Sequence, residues 1–138
     1  MDAARFGHIE CVHKLVECHA DIDHRDNDGC SVIQVAAAAN QLEVVQFLAN
    51  ECDCDVENVD NSGCNILHDI STRGKWRLLQ AVIPYCYNLD VQDANGQTPL
   101  HLAVFGNHRE CVRFLVLAEA DSNIIDNYGR TPLHHACF

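Results

Sequence analysis

The sequence predicts an all-α solenoid in which each unit of about 33 residues is a β-turn followed by two antiparallel helices. Four glycines support this prediction because they are spaced 34, 33 and 33 residues apart: Gly29, Gly63, Gly96 and Gly129. An aspartate precedes each of these glycines by three residues, and a large aliphatic residue follows each by four residues. A pattern that recurs at this period is typical of a stack in which each unit covers the apolar face of its neighbour.

The unit 93–125 shows the predicted elements most clearly. Its first four residues contain Asp, Asn and Gly, which favour a tight turn. Thr98 is expected to cap a first helix that begins at Pro99, whose φ angle is already fixed in the helical range. Gly106 and Asn107 are expected to end the first helix, since both residues tolerate left-handed backbone geometry. A second helix is predicted from about Arg109 to Leu117.

The rest of the chain divides at the same period. We predict one repeat domain, 1–138, made of a partial unit, three full units and a second partial unit: 1–25, 26–59, 60–92, 93–125 and 126–138. The unit 26–59 carries one extra residue, in the region from Ala49 to Cys54.

Two segments identify a family resemblance. Asp93 to Ala103 (DANGQTPLHLA) and Asp126 to Ala136 (DNYGRTPLHHA) resemble ankyrin repeats, down to the Thr-Pro-Leu-His box. The resemblance covers essentially the whole chain. It implies an L-shaped stack, with β-turn fingers beside a concave row of first helices. It also implies that protein partners bind on the surface formed by the fingers and the groove, and that the chain is not itself an enzyme.

The sequence departs from the family pattern in two ways. Unit 60–92 has Asn65-Ile66-Leu67-His68 in place of the box, and Asp69 stands where the family usually has an apolar helix residue. This unit is therefore expected to be the least stable. The chain also begins inside one helix and ends inside another, which predicts a fragment of a longer protein.

Composition and cysteine usage predict an intracellular protein, in the cytoplasm or the nucleus. The longest apolar runs, from Val35 to Ala39 and from Phe114 to Ala118, are far shorter than the roughly 20 residues of a membrane-spanning helix. No membrane contact is expected from this segment. The nine cysteines are odd in number and scattered, which favours free thiols in a reducing compartment over a secreted disulfide scaffold.

The charge distribution leads to a hypothesis about the partner. A net charge of −11 disfavours nucleic acid, but seven of the 20 acidic residues belong to the repeat pattern itself. In the variable slots that would line the fingers and the groove, four arginines are opposed by Asp28 alone. The hypothesis is that the partner presents acidic segments; the alternative is that these arginines are merely solvated.

Trp76 lies in the only basic and aromatic cluster, where it would serve as an interface anchor or shield the irregular third unit. The candidate partner-binding residues are Arg5, Phe6, Arg25, Asn27, Asp28, Asn61, Arg73, Trp76, Asn95, Phe105, Tyr128 and Arg130.

Other candidate sites have simpler interpretations. His68, His101 and His134 recur in one slot, so each ring is expected to bond the capping threonine or a turn backbone. The Cys52-Asp53-Cys54 segment lacks the second ligand pair that zinc requires, so we predict no metal and no cofactor. Asn123 is similar in position to the asparagine that an asparaginyl hydroxylase modifies in some ankyrin-repeat proteins.

Two main functions remain open at the level of sequence, and a metal-dependent site around Cys52 and Cys54 is a third and weaker alternative. The first is a non-catalytic module that binds a protein partner through its concave groove and finger tips. The second is the targeting or substrate-recruiting portion of a larger enzyme or channel, whose functional segment lies outside these residues.

Overall fold

A computed structural model describes residues 1–52 and 54–137 of the chain. Asp53, which separates two of the cysteines discussed above, and Phe138 lie outside the described residues. The described residues form no β-strand, one 3-10 helix at Ile83–Tyr85, and nine α-helices. These are α1 (Asp2–Arg5), α2 (Ile9–Glu17), α3 (Val32–Ala38), α4 (Leu42–Glu51), α5 (Ile66–Thr72), α6 (Trp76–Val82), α7 (Pro99–Phe105), α8 (Arg109–Leu117) and α9 (Pro132–His135).

The helices pack in two rows. In the row of first helices, α1, α3, α5, α7 and α9 contact one another in succession, and α2, α4, α6 and α8 do the same in the row of second helices. The predicted all-α solenoid is therefore confirmed. The core lies between the rows and includes nine large aliphatic side chains that are essentially inaccessible to solvent: Ile33, Leu48, Ile66, Leu67, Ile70, Leu78, Leu79, Leu100 and Leu115. Each contributes roughly 1.5–3 kcal/mol relative to an exposed side chain.

The helix starts follow the predicted capping chemistry. The predicted bounds of α7 and α8 are confirmed, and the Thr98 side chain accepts a hydrogen bond from the His101 backbone N–H. In the irregular unit 60–92, the Asn65 side chain takes the place of the threonine and accepts from the N–H groups of Leu67 and His68. The missing box therefore costs this unit no helix cap.

The recurring histidines hold neighbouring units together. The Thr98 N–H donates to His101 Nδ1 at 3.2 Å, so His101 Nε2 carries the proton and donates to the Arg130 carbonyl at 3.0 Å. His68 Nε2 bonds the Gln97 carbonyl in the same way, at 3.1 Å. The expectation of a structural role is confirmed for both rings, with the addition that each carbonyl belongs to the next turn along the chain. Burial lowers the pKa of both histidines and keeps the rings neutral.

Successive turns form a hydrogen-bonded ladder of fingers. In each of three rungs, a backbone N–H donates to a backbone carbonyl of the preceding turn at 3.0 Å: Asn61 to Asp28, Ala94 to Ser62, and Asn127 to Asn95. The turn aspartates stiffen the fingers because their Oδ1 atoms accept two backbone N–H groups each. The fingers are thus a continuous edge, with side chains at the tips left exposed.

Two second helices differ from the common pattern. The helix α4 has ten residues where α2 and α8 have nine, which places the extra residue of unit 26–59 near its end. The helix α6 has seven residues, and the 3-10 helix that contains Pro84 follows it directly.

Candidate partner-binding groove

A concave cavity of about 420 Å³ lies between the turns and the first helices. Gln34 and Ala38 of α3 form part of its wall, with Asp28 from the preceding turn. Arg5, the last residue of α1, and Arg73, which directly follows α5, line the same cavity. We call this cavity and the adjoining finger edge the groove. It is the place where the sequence predicted that first helices and finger turns would meet.

The groove carries more negative charge than the sequence suggested. Asp26 and Asp69 line the cavity together with Asp28, whereas only Asp28 was expected to oppose the arginines. Burial raises the pKa of the Asp69 carboxyl, the Arg73 guanidinium partly offsets this, and the Asp60 carboxylate raises it further. Asp69 therefore lies at the groove and not in the apolar core.

Two thiols, Cys30 in the cavity wall and Cys64 in the next turn, lie near several of these carboxylates. Burial raises the pKa of Cys30 to about 11, and the carboxylates of Asp26, Asp60, Asp69 and Asp28 add to the increase. Burial raises the pKa of Cys64 to about 12, and the carboxylates of Asp60, Asp93 and Asp69 add to the increase. Both thiols stay protonated at neutral pH, so neither has the thiolate character of a catalytic cysteine.

Two of the four arginines among the candidate binding residues form contacts within the chain. Arg25 donates to the Val59 carbonyl at 2.8 Å and also contacts the Asn58 side chain. Arg130 donates from Nε and Nη2 to Asp126 Oδ2 at 2.9 and 2.8 Å. The structure therefore brings Arg5 and Arg73 together at one cavity and commits Arg25 and Arg130 to internal contacts.

Trp76 lies away from the groove, on the row of second helices. Its ring is parallel to the ring of Phe114 on α8, with centroids 5.9 Å apart and an interplanar angle of 7°. The guanidinium of Arg77 lies 5.3 Å from the Trp76 ring. These residues belong to the outer face of the stack, where Trp76 bridges α6 and α8. Only about a third of the tryptophan remains exposed.

The other predicted residues are exposed at the fingers or at the ends of first helices. Phe6 and Tyr128 are largely exposed, as are Asn27, Asn61 and Asn95 at the finger tips. Phe105 lies in a separate cavity of about 820 Å³ beside α8 and α9. Asn123 is exposed in the turn after α8, with its side-chain amide donating to Asp121.

No group of three or more His, Cys, Asp and Glu side chains suited to a metal ion occurs in the described ranges 1–52 and 54–137. Burial raises the pKa of both Cys52 and Cys54, which flank the undescribed Asp53. All nine cysteines are free thiols. Within the same ranges, none of the helices combines the length and the apolar character needed to cross a bilayer.

Sequence reasoning did not include Asp69 among the binding residues. The available signal was its repeat slot, nine residues after a turn aspartate, which holds Val35, Leu102 and His135 in the other units. The family pattern places an apolar residue in that slot, whereas in unit 60–92 a carboxylate occupies it and lines the groove.

The chain is similar along its whole length to known repeat sequences. The family model described as ankyrin repeats (3 copies) matches residues 1–75 and 69–138. The chain is 26% identical to an L-asparaginase of Dirofilaria immitis, over 97% of this chain and 28% of that protein. It is 28% identical to alpha-latrotoxin-Lg1a of Latrodectus geometricus, over 95% of this chain and 12% of the toxin.

A shorter match is closer in sequence. The chain is 50% identical to neurogenic locus notch homolog protein 1 of Mus musculus over 44 residues, which are 32% of this chain and 2% of that protein. The chain therefore spans less than a third of the length of each of these relatives.

Proposed function

Because the chain belongs to the ankyrin-repeat family, we propose that it is a non-catalytic module that binds a protein partner through the groove and finger tips. Ankyrin repeats generally act as protein-interaction modules. The observation that carries the proposal is the cavity of about 420 Å³, where charged side chains of both signs are grouped between the turns and first helices.

The proposed binding surface has two parts. Arg5, Asp28 and Arg73 form the groove part, and they are the charged candidates that line one cavity. The finger part consists of Asn27, Asn61 and Asn95, whose side chains are exposed along the hydrogen-bonded ladder. Rigid, ladder-linked fingers favour binding, since little conformational freedom is lost when the partner docks.

The remaining candidates support or extend this surface. Phe6 and Tyr128 would add exposed aromatic contacts at its two ends. We propose that Arg25 and Arg130 hold the fingers in place, and that Trp76 and Phe105 belong to other faces of the stack. The partner is a protein and not a nucleic acid, because the groove combines three acids with two arginines, a mixture that does not suit a phosphate backbone.

The length of the relatives favours a second candidate function. The match to an L-asparaginase leaves 72% of that protein outside the aligned region. The chain would then be the recruiting portion of a larger enzyme, and the groove would hold a substrate protein or a targeting partner. Reading the coding sequence on both sides of this segment would separate the two functions.

Two further proposals concern the cell. Nine free thiols favour a reducing compartment, cytoplasm or nucleus, and imaging of a tagged full-length protein would check this. Asn123 is exposed in a turn, so it is open to an asparaginyl hydroxylase. Mass spectrometry after enzyme treatment should show one added oxygen on Asn123, and an unmodified peptide would reject the idea.

Separate variants of the two faces test the main proposal. Affinity capture from cell lysate would compare the wild-type chain with Arg73→Glu, which alters the groove, and with Trp76→Ala, which alters the outer face. Circular dichroism would first establish that all three fold alike. We expect partners to be lost with Arg73→Glu and retained with Trp76→Ala. The opposite pattern would move the binding surface to the second helices, and retention by both would reject the groove.

A further inference from the structure

The outer face of the stack, formed by the second helices, changes the sign of its charge halfway along the row. The helices α2 and α4 carry four carboxylates and one lysine, whereas α6 and α8 carry three arginines and one carboxylate. These nine side chains are all exposed: Glu10, Lys14, Glu17, Glu43, Glu51, Arg77, Arg109, Glu110 and Arg113. The face is therefore acidic at one end and basic at the other, although the net charge of the chain is −11.

The sign changes between α4 and α6, which are neighbours in the middle of the row. Glu43 and Arg77 occupy the same slot there, because each is the second residue of its helix. Across the residues that the structure describes, neither side chain lies within 4.0 Å of an opposite charge. The Arg77 guanidinium instead lies 5.3 Å from the centroid of the Trp76 ring, which holds it in place without a carboxylate.

A cleft of about 360 Å³ separates α4 from α6 on this face. Its lining residues are Leu42, Gln46, Trp76, Arg77, Gln80 and Ala81. The two walls carry compatible groups in equivalent slots. The first slot of each helix holds Leu42 or Trp76, the second Glu43 or Arg77, and the fifth Gln46 or Gln80. The cleft is thus bounded by two helix surfaces that complement each other but point the same way.

We propose that the outer face binds a second copy of this chain, with a two-fold axis that runs along the cleft, parallel to α4 and α6. A half-turn about that axis places α6 of each copy over α4 of the other and keeps the helix direction, so that equivalent slots meet. Trp76 then packs on Leu42 of the second copy, Arg77 pairs with Glu43, and Gln80 meets Gln46. Each contact occurs twice in the dimer.

The charge pattern selects this arrangement. The half-turn along the cleft brings the basic end of one copy over the acidic end of the other. A half-turn about an axis along the stack would instead place α4 over α4 and α6 over α6, where like charges face each other at a cost. Both complementary surfaces belong to this chain, so a second copy supplies what the face lacks.

The dimer should be weak, because the contact is centred on two helices from each copy and lies at the small end of specific interfaces. We expect a Kd of about 10–100 μM, so that the chain is a monomer at about 1 μM and below. The groove lies on the side of the first helices, so both grooves stay open in the dimer. Two grooves in one assembly would hold a partner with two binding segments more tightly than one groove does.

Sedimentation equilibrium from about 5 to about 500 μM, in about 150 mM NaCl to screen the repulsion of net charge, tests the inference. We expect the wild-type chain to pass from monomer to dimer. Arg77→Glu and Glu43→Arg should each weaken the dimer about ten-fold or more, because each places like charges opposite each other at two points. The double substitution exchanges the two charges and should restore an affinity close to that of the wild type.

Arg73→Glu is the matched control, since it makes the same change of charge at the groove and should leave the dimer intact. A wild-type chain that stays monomeric at about 500 μM would overturn the inference and leave the outer face to a different protein. So would a dimer that resists Arg77→Glu, or one that the double substitution fails to restore. Each of these results leaves the proposed function standing, because no groove residue takes part in the contact.

Trp76 provides an independent measurement, because it is the only tryptophan of the chain and about a third of it is exposed. Its fluorescence emission should shift to shorter wavelength as the concentration rises from about 5 to about 500 μM, since the ring loses contact with water in the dimer. The Arg77→Glu chain should show no such shift. A dimer that forms without any change in the emission would place the contact elsewhere and overturn the inference.

Discussion

The protonation state of His101 affects the hydrogen bonds that join two neighbouring units. Its Nδ1 accepts from Thr98 and its Nε2 donates to Arg130, so the ring is needed in its neutral form. Burial lowers its pKa below the ordinary value of about 6.5, while the unfolded chain keeps that value. The unfolded state therefore binds more protons as the pH falls below 6.5, and this contribution to the free energy of unfolding is progressively lost.

We expect His101→Gln to fold as stably as the wild type at pH 8 and to lose less stability at pH 5. Gln34 occupies the same slot two units earlier and already makes both hydrogen bonds, to Ser31 and to the Cys64 carbonyl. Urea unfolding at pH 8, 6.5 and 5 would measure the effect. His134→Gln is the matched control, because His134 is exposed. Equal pH dependence in His101→Gln and the wild type would show that the buried ring does not set the acid sensitivity.

The carboxylate of Asp126 gives a second prediction at this scale. Burial alone would raise its pKa, but hydrogen bonds from Arg130, His135 and the Tyr128 N–H together hold the pKa well below its usual range. Asp126→Asn should therefore destabilise the chain more than Asp93→Asn does. Both amides keep the oxygen that accepts the turn N–H groups, and only Asp126 loses partners at Oδ2.

Urea midpoints at pH 7 would measure the difference between Asp126→Asn and Asp93→Asn. It should shrink toward acid pH, because the stability that comes from a lowered carboxylate pKa is present above the unfolded value and is lost as the pH falls. Equal midpoints at pH 7 would mean that the pairs with Arg130 and His135 contribute nothing.

At the scale of single elements, the tolerance of a finger turn to substitution depends on how closely the next finger approaches it. Gly96 has a φ of 75°, and a Cβ built on it would lie 2.7 Å from the Asn127 backbone nitrogen of the next finger. Gly129 has nearly the same φ, 74°, with nothing within 4 Å of a Cβ. A substitution to alanine costs about 1–2 kcal/mol at either position, from left-handed backbone strain alone.

Gly96→Ala should be more destabilising than Gly129→Ala, since it must also disturb the hydrogen bond from the Asn127 N–H to the Asn95 carbonyl. Thermal unfolding of the two variants would measure the excess. Because the strain is common to both, the difference reports the contact between fingers. A difference near zero would show that adjacent fingers can separate without cost.

Elements with strong local signals were predictable from sequence, and the irregular ones were not. The first helix of unit 93–125 is bounded by residues with clear local preferences: Thr98 caps it, Pro99 begins it and Asn107 follows its end. The bounds of α7 and the start of α8 follow from these preferences. The 3-10 helix after α6 was not predicted, because its geometry depends on how the chain leaves the helix at Pro84. Asp69 was expected to weaken the packing of its unit, but the residue type of the slot could not show that it lies beside the groove, where Val35 of the preceding unit lines the same cavity.

At the scale of the whole molecule, the sequence predicted a groove beside the first helices, but it did not predict which arginines line that groove and which form contacts within the chain. Spacing placed Arg5 and Arg73 in variable slots, and the structure puts both at one cavity. The slots alone could not reveal that Arg25 contacts Asn58 and that Arg130 pairs with Asp126, since those contacts form between units or depend on side-chain geometry. The same limit applies to Trp76, whose stacking on Phe114 needs the packing of two second helices.

The net charge of −11 predicts how the whole stack responds to salt. The surface ion pairs Lys14–Glu17 and Arg113–Glu110 are exposed, and such pairs contribute about 0–1 kcal/mol each. Repulsion among the acidic residues should therefore outweigh them. Raising NaCl from about 10 mM to about 150 mM shortens the Debye length from about 30 Å to about 8 Å, which screens that repulsion. We expect the urea midpoint to rise over this range.

A charge-reduced variant separates this screening from other effects of salt. Glu10→Lys with Glu43→Lys changes two exposed residues on the second helices, away from the groove, and brings the net charge from −11 to −7. Its midpoint should be higher than that of the wild type at about 10 mM NaCl and should rise less on addition of salt. An equal response in both chains would mean that the salt acts through apolar burial. A falling midpoint in the wild type would mean that attractive pairs, such as Asp126 with Arg130, dominate the electrostatics of the stack.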